Sequence, residues 1–306
     1  MFVHLLQLGR IPYAEGLEIQ SRVVAARKAG AIGDTLLLLE HPPVITLGRN
    51  SSRANVLVND DWLAAHGVEL HEINRGGDVT YHGPGQLIGY PIVDLRGDWP
   101  GKKGPHLGPV DFVRMIEEAL IRTCADFGVM AKRIPKCTGV WTFGGGDDDA
   151  QRSGLSGRKE KKLESKLAAI GVHVSQGVTS HGFALNVTTD LRDFEWIIPC
   201  GITDRGVTSL EVEADPSSEP TMERAINSAA RNFGRVFGRQ MVWSESLDQL
   251  LAAPADRPRD GKRLDDTARL ARGSRPAKHP INRKTYNHRA SSCTRCAVNG
   301  KESNAD

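Results

Sequence analysis

Apolar and polar positions along the chain follow one period and then another, and the changes mark out the elements. Residues 11–29, IPYAEGLEIQSRVVAARKA, place Leu17, Val23 and Val24 among polar neighbours soon after Pro12, which predicts a helix opened by a proline. TLLLLEHPPVITLGR then gives two apolar, β-rich runs separated by a Pro-Pro break. In 109–127, PVDFVRMIEEALIRTCADF, the residues Val113, Ile116, Leu120, Cys124 and Phe127 recur at three- and four-residue spacing, and Gly128 follows as a stop. A second helix is predicted there, with Cys124 in its packed stripe.

GVWTF (139–143), KLAAIGVHVS (166–175) and SHGFALNV (180–187) read as strands, the last two joined by QGVT in a hairpin turning near Gln176 and Gly177. A helix over 221–237 and a short strand, QMVW, follow. Strands in groups with helices between them, and no regular βαβ alternation, predict an α+β fold. Two stretches fall outside this pattern. Residues 144–165, GGGDDDAQRSGLSGRKEKKLES, are sorted into acidic and basic blocks and are expected to be a polar surface-loop insertion. From Leu251 onward apolar periodicity disappears, so 1–250 is expected to be the folded domain and 251–306 a basic, disordered tail.

Composition narrows the class. At 306 residues with 39% apolar and 25% charged content, the chain can bury a sizeable core and reads as soluble and globular. Its net charge of +3 is unevenly spread: Pro254 to Asp306 holds 13 basic against 6 acidic residues, and the remainder holds 27 against 31. The body is mildly acidic, which gives no support for nucleic-acid binding. MFVHLLQLGRIPYAEG lacks the basic region and apolar length of a signal peptide, and no run approaches membrane-spanning length, so no membrane contact and a cytoplasmic location are expected. Five scattered cysteines, at 124, 137, 200, 293 and 296, argue against a disulfide framework and suit a reducing compartment. Cys293 and Cys296 form CTRC, but no second pair accompanies them and His279 and His288 fit no standard spacing, so no metal site is assigned. A monomer is the default, since no extended apolar surface pattern demands a partner.

Two constellations carry candidate chemistry. RGGDVTYHGPGQL, Arg75 to Leu87, concentrates Arg, Thr, Tyr and His among four glycines. A turn explains the glycines and the proline; a ligand-holding surface explains the donors and the aromatics as well, and on chemistry alone both readings stand. The spacing matches neither the P-loop nor the dinucleotide fingerprint. In IIPCGITDRGVTSL, Cys200 lies between a proline and a glycine. Such a thiol is either buried structure or a nucleophile, the latter only where a neighbouring cation or histidine lowers its pKa. His82, His173, His181 and several lysines are candidate partners; Lys166 stands out because apolar residues follow it in a strand, and spacing does not choose among them.

Taken in order, PPVITLGR (42–49), RGGDVTYHGPGQLIGYPIVDL (75–95), KLAAIGVHVSQGVTSHGFALNV (166–187) and IIPCGITDRGVTSL (197–210) resemble the octanoyltransferases of lipoate biosynthesis over about residues 1–245. The resemblance implies a biotin/lipoate protein ligase-like catalytic domain, a mixed β-sheet with packed helices. It also implies transfer of an octanoyl group from octanoyl-acyl carrier protein to a lysine ε-amine. The acceptors would be apo lipoyl domains of 2-oxoacid dehydrogenase complexes and the glycine cleavage H protein. Cys200 would carry the acyl group as a thioester, Lys166 would lower its pKa and shuttle protons, and no cofactor would be needed. The substrate groove would be formed by Arg75, Gly76, Gly77, Asp78, Val79, Thr80, Tyr81 and His82, by Ala169, Ile170 and Gly171, and by Gly182, Phe183 and Ala184, the small residues leaving room for the acyl chain. The alternatives are an ATP-dependent lipoate or biotin protein ligase of the same fold, which needs no nucleophilic cysteine, and a non-catalytic lipoyl-domain-binding homologue. The 144–165 insertion and the tail have no counterpart in these motifs.

Overall fold

The computed structural model describes residues 2–97, 99, 104, 106–143, 164–198 and 205–252. Cys200, most of the 144–165 insertion and the tail from 253, with Cys293, Cys296, His279 and His288, lie outside the described residues.

The described elements, in chain order, begin with β1 (Phe2–Arg10), α1 (Tyr13–Lys28), β2 (Asp34–Glu40), β3 (Val44–Leu47), α2 (Asp60–Ala65), β4 (Glu69–Glu72), β5 (Thr80–His82) and β6 (Gln86–Ile92). The middle of the chain gives α3 (Pro109–Ala125), β7 (Ala131–Ile134), β8 (Cys137–Thr142), β9 (Ser165–Ser175) and β10 (Val178–Asn186). The end gives β11 (Gly206–Val207), α4 (Leu210–Glu213), α5 (Met222–Phe237), β12 (Gln240–Ser244) and α6 (Leu247–Ala252). A large mixed sheet runs β12-β1-β2-β6-β10-β9-β8-β7, with β11 added beside β9; a small sheet runs β4-β3-β5.

The leucine run explains why the large sheet is covered on both sides. Leu36 and Leu38 face the core under α3 and α5, while Leu37 and Leu39 face the one under α1. A strand buried on both faces reads as a continuous apolar run. Each of those leucines is at most 1% exposed and contributes roughly 1.5–3 kcal/mol by its burial. On α3 the predicted stripe packs against α5, where Phe112 meets Phe237 edge-on at 5.7 Å, and Cys124 is fully buried among them. The hairpin between β9 and β10 turns through Gln176 and Gly177, both at positive φ (52° and 80°), as a two-residue type I′ turn requires.

Two boundaries differ from those expected. β1 was not expected as a strand; it sits between β12 and β2 in parallel pairing. The fold also continues past residue 250, because α6 ends at Ala252 and Leu250 is fully buried beside α1. Apolar periodicity cannot register one last helical turn.

A carboxylate fixes β8 against α3. Glu117 is fully buried on α3, accepts from Arg114 Nη1 (2.7 Å) and Arg133 Nε (3.1 Å), and takes the Gly139 amide of β8 on its other oxygen (3.1 Å). Glu117→Ala would leave that amide buried without an acceptor, and both guanidinium groups retain access to water. The variant is expected to lose about 2–3 kcal/mol, read as a lowered urea midpoint at unchanged slope, and Glu117→Gln about half of it.

Candidate active site

Arg75, Gly76 and Gly77 bridge the small sheet and the end of the β9–β10 hairpin. The Arg75 guanidinium donates through Nη2 to the Thr46 carbonyl and hydroxyl, both at 2.9 Å, while its own carbonyl accepts from Arg49 N. The Gly76 amide donates to the Val172 carbonyl at 3.2 Å. Here glycine is required for contact between backbones: a Cβ on Gly171 would stand 2.6 Å from the Gly76 oxygen. Gly77, at φ 93°, then turns the chain.

Pro91 shapes the opposite wall. It lies inside β6 and has no N–H to give, so the ladder with β10 runs only from Phe183 to Asn186. Beyond that stretch His181 takes φ 56°, hands its amide to Gln20 Oε1 on α1 (2.6 Å), and points its ring at Asn74 Oδ1 (2.8 Å). The break is on the β6 side alone, because His181 stays in register with Val172 of β9.

A narrow cavity is lined by Thr80, Gln86, Lys166, Ala169, Ala184 and Asn186, together with Phe194 and Val207. Lys166 is 6% exposed, and its Nζ stands 4.7 Å above the Trp141 ring, a cation–π contact that holds the ammonium on the cavity wall. Its carbonyl accepts from Thr208 N (3.0 Å), and it pairs with Val207 of β11. The described residues on either side of 199–204 are anchored: Ile198 N donates to the Asn55 carbonyl (2.8 Å), and Gly206–Val207 lie along Ser165–Lys166. Arg205 sits over the same indole at 5.6 Å and donates to Cys137 Sγ at 3.4 Å.

Behind Thr80 the polar aromatics gather. Tyr13 of α1 lies 4.9 Å from His41 edge-on and 6.2 Å from His82 in a stacked arrangement. His41 Nδ1 faces the Ile11 carbonyl (2.9 Å), so it carries the proton, and Nε2 accepts from the Tyr90 hydroxyl (2.8 Å). Burial holds the imidazoles of His41, His82 and His181 neutral, with His41 lowered to about 4 and His82 and His181 to about 3. Arg75 deepens the shift at His82 and His181. Burial also pushes the Tyr13 phenol up to about 12.

The residues expected in the groove separate into groups. Thr80, Lys166, Ala169 and Ala184 reach the cavity, His82 bonds the cavity-lining Gln86, and Arg75 and Gly76 are engaged with Thr46 and Val172 instead. Ala169, Ile170 and Gly171 stand directly across from Ala184, Phe183 and Gly182. Strand alternation turns Ile170 and Phe183 to the other face, into the core under α3 and α5. The space expected for an acyl chain at the glycines is taken by protein: beside Gly171 by Gly76, and beside Gly182 by the Gly89 carbonyl and Pro91. Val79 and Tyr81 pack under the small sheet, the Tyr81 hydroxyl donating to Asp193 Oδ2 at 2.5 Å. Asp78 accepts from Asn55 Nδ2 and from Val79 N. Of the other candidate thiol partners, half-buried His173 is not among the cavity-lining residues, and His181 bonds Asn74.

Gln86, Asn186, Trp141, Tyr13, His41 and Tyr90 were not singled out from sequence. For Gln86 and Asn186 a signal existed, since each is a lone amide at the end of an otherwise apolar strand, in QLIGYPI and FALN. Among the described residues no group of His, Cys, Asp and Glu is placed to hold a metal ion, and no helix is long and apolar enough to cross a membrane.

A family model described as the lipoyl protein ligase A/B catalytic domain matches residues 12–234. An octanoyltransferase of Acidobacterium capsulatum is 61% identical over 251 residues, spanning 82% of this chain and 96% of its own. One from Koribacter versatilis is 48% identical over 256 residues, spanning 84% and 92%. A bipartite lipoate protein ligase from Thermoplasma acidophilum matches in structure with a TM-score of 0.58 at 17% identity, over 82% of this chain and 91% of that one, which shows a shared fold. The mixed sheet, the cavity beside Lys166 and these relatives converge: the chain belongs to the lipoyl protein ligase A/B catalytic family, and within it to the octanoyltransferases, which are acyltransferases.

Proposed function

We propose that the chain moves an octanoyl group from octanoyl-acyl carrier protein to a specific lysine of apo lipoyl domains through a thioester on Cys200. In the first step the Cys200 thiolate attacks the carbonyl of the incoming thioester. The carbon–sulfur bond to the carrier breaks, and the departing thiolate takes a proton from the Lys166 ammonium. In the second step the neutral ε-amine of the acceptor lysine attacks the Cys200 thioester. An amide forms, Cys200 leaves as a thiolate, and the amine's proton returns to Lys166. The donor arrives activated, so ATP has no part in the reaction. Acceptors on 2-oxoacid dehydrogenase complexes and the glycine cleavage H protein, a cytoplasmic setting, and a monomeric catalytic domain followed by a basic tail complete the reading.

The supporting observation is the placement of Lys166. A lysine that is nearly all buried, on a cavity wall, beside the strand that resumes the chain after 199–204, suits a cation that stabilises a thiolate. Intact-protein mass spectrometry after mixing with octanoyl-acyl carrier protein tests it. One octanoyl adduct is expected, mapping to Cys200 and discharged by an apo lipoyl domain. An adduct on Cys124, Cys137, Cys293 or Cys296 that persists in Cys200→Ser would sink the proposal. So would transfer that requires free octanoate and ATP, which is the ligase alternative.

A further inference from the structure

Gln86 and Asn186 face each other across β6 and β10, and both side chains are buried, at 2% and 4% exposure. Backbone carbonyls, which can only accept, fix the direction of both amides. Gln86 Nε2 lies 3.2 Å from the Tyr81 oxygen and 2.9 Å from Asn186 Oδ1. Asn186 Nδ2 lies 2.8 Å from the Thr208 oxygen. Both nitrogens are therefore donors, and Gln86 Oε1 is the atom that meets His82 Nδ1 at 2.7 Å. An amide oxygen has no proton to give, so His82 Nδ1 carries the hydrogen and Nε2 is left as a lone pair.

The chain of bonds does not stop at the histidine. It runs from His82 through Gln86 and Asn186 to the Thr208 carbonyl, and the Thr208 amide donates to the carbonyl of Lys166. Two amides thus span the cavity they line, from the imidazole side to the lysine side. Resting on the acyl-transfer reading above, we propose that Gln86 and Asn186 are positioning residues of the reaction: they lock His82 as the neutral Nδ1–H tautomer, presenting Nε2 as an acceptor, and hold it in register with Lys166.

Groups around His82 reinforce the neutral form. Tyr13 from α1, His41 after β2, Arg75 before β5 and His181 on β10 surround it with neutral rings and one permanent cation, while Gln86 brings no charge. Gln86→Glu changes that one term by setting a carboxylate against the Nδ1–H, which stabilises the imidazolium.

Nitrogen-15 NMR of the ring, assigned by the signal lost in His82→Asn, reads the tautomer in the wild-type protein whether or not the acyl-transfer scheme is correct. Nδ1 is expected protonated and Nε2 bare, with no titration from pH 5.5 to 8. A protonated Nε2, or a wild-type ring that titrates in that window, overturns the proposal and leaves octanoyl transfer intact. In Gln86→Glu the ring is expected to titrate at higher pH than in the wild type, and kcat to gain an acid limb at the same pH. Gln86→Leu keeps the volume without the bonds and is expected to lower kcat roughly 10–100-fold, by analogy with the hydrogen-bond partners that orient metal-ligating histidines, with little change in KM. Unchanged kcat and an unchanged pH profile in both variants would mean that the amides only stabilise the fold.

Discussion

Cys200→Ala is expected to abolish octanoyl transfer, whereas Lys166→Ala lowers kcat roughly 10²–10⁴-fold, the range in which one positioned proton donor and acceptor acts. The asymmetry follows from the proposed roles. Without the sulfur no thioester forms, so both half-reactions are lost together. Without the lysine the thiolate fraction falls and the departing carrier sulfur must find its proton in water, yet the covalent route remains. The carrier's KM should stay near its wild-type value in Lys166→Ala, because the alkylamine lies on the cavity wall and not on the outer surface. Trp141→Leu separates position from chemistry: it leaves the ammonium but removes the ring 4.7 Å below it, and a cation–π contact of about 0.5–2 kcal/mol corresponds to a 2- to 30-fold effect on kcat. Rapid-mixing measurement of adduct formation, followed by discharge to an apo lipoyl domain, assigns each loss to its step. A Lys166→Ala enzyme acylated at the wild-type rate would remove lysine from the first step.

Elements whose pattern is local were legible in the sequence. The α3 stripe, the leucine run of β2 and the Gln176-Gly177 turn each carry their signal within about fifteen residues. β1 was not, because His4 and Gln7 interrupt its apolar residues and its burial comes from neighbours at both ends of the chain, Gln240–Ser244 and Asp34–Glu40. The site divides along the same line. Lys166 showed itself by opening an apolar strand, but the amides that join it to His82 belong to strands 100 positions apart, and nothing in spacing says that β6 and β10 are neighbours. Pro91 is the clearest instance. A proline inside an apolar run announces a broken ladder, but which residue loses its partner on that side depends on the strand that packs beside it, and only the fold identifies His181.

Acid should unfold this protein earlier than its carboxylates alone would require. His41, His82 and His181 have folded pKa values of about 4, 3 and 3, against roughly 6.5 in an unfolded chain. Above pH 6.5 they are neutral in both states and cost nothing. As pH falls below that value the unfolded chain takes up protons that the folded one refuses, and stability declines until the folded values are reached. Each histidine supplies a slope approaching 1.4 kcal/mol per pH unit, so the three together approach about 4 kcal/mol per unit between roughly pH 6 and pH 4. Asp94, Glu118 and Asp126 have lowered pKa values through their arginine and hydrogen-bond partners and add a further loss, confined to more acid pH. Urea midpoints at pH 7.5, 6.0, 5.0 and 4.5 should therefore fall gently over the first interval, where the unfolded imidazoles begin to titrate, and more than twice as steeply per pH unit over the rest. His181→Gln, which exchanges a titrating ring for a neutral amide still able to face Asn74, should flatten that slope by about one third whatever it does to stability at pH 7.5. A midpoint constant from pH 7.5 to 4.5 would mean that water reaches these rings and that the wall around Arg75 is open. The acid limit arises in the same residues as the proposed chemistry: an imidazole buried deeply enough to stay neutral as an acceptor beside Arg75 must resist protonation, and the folded state then loses stability wherever the unfolded chain can accept the proton.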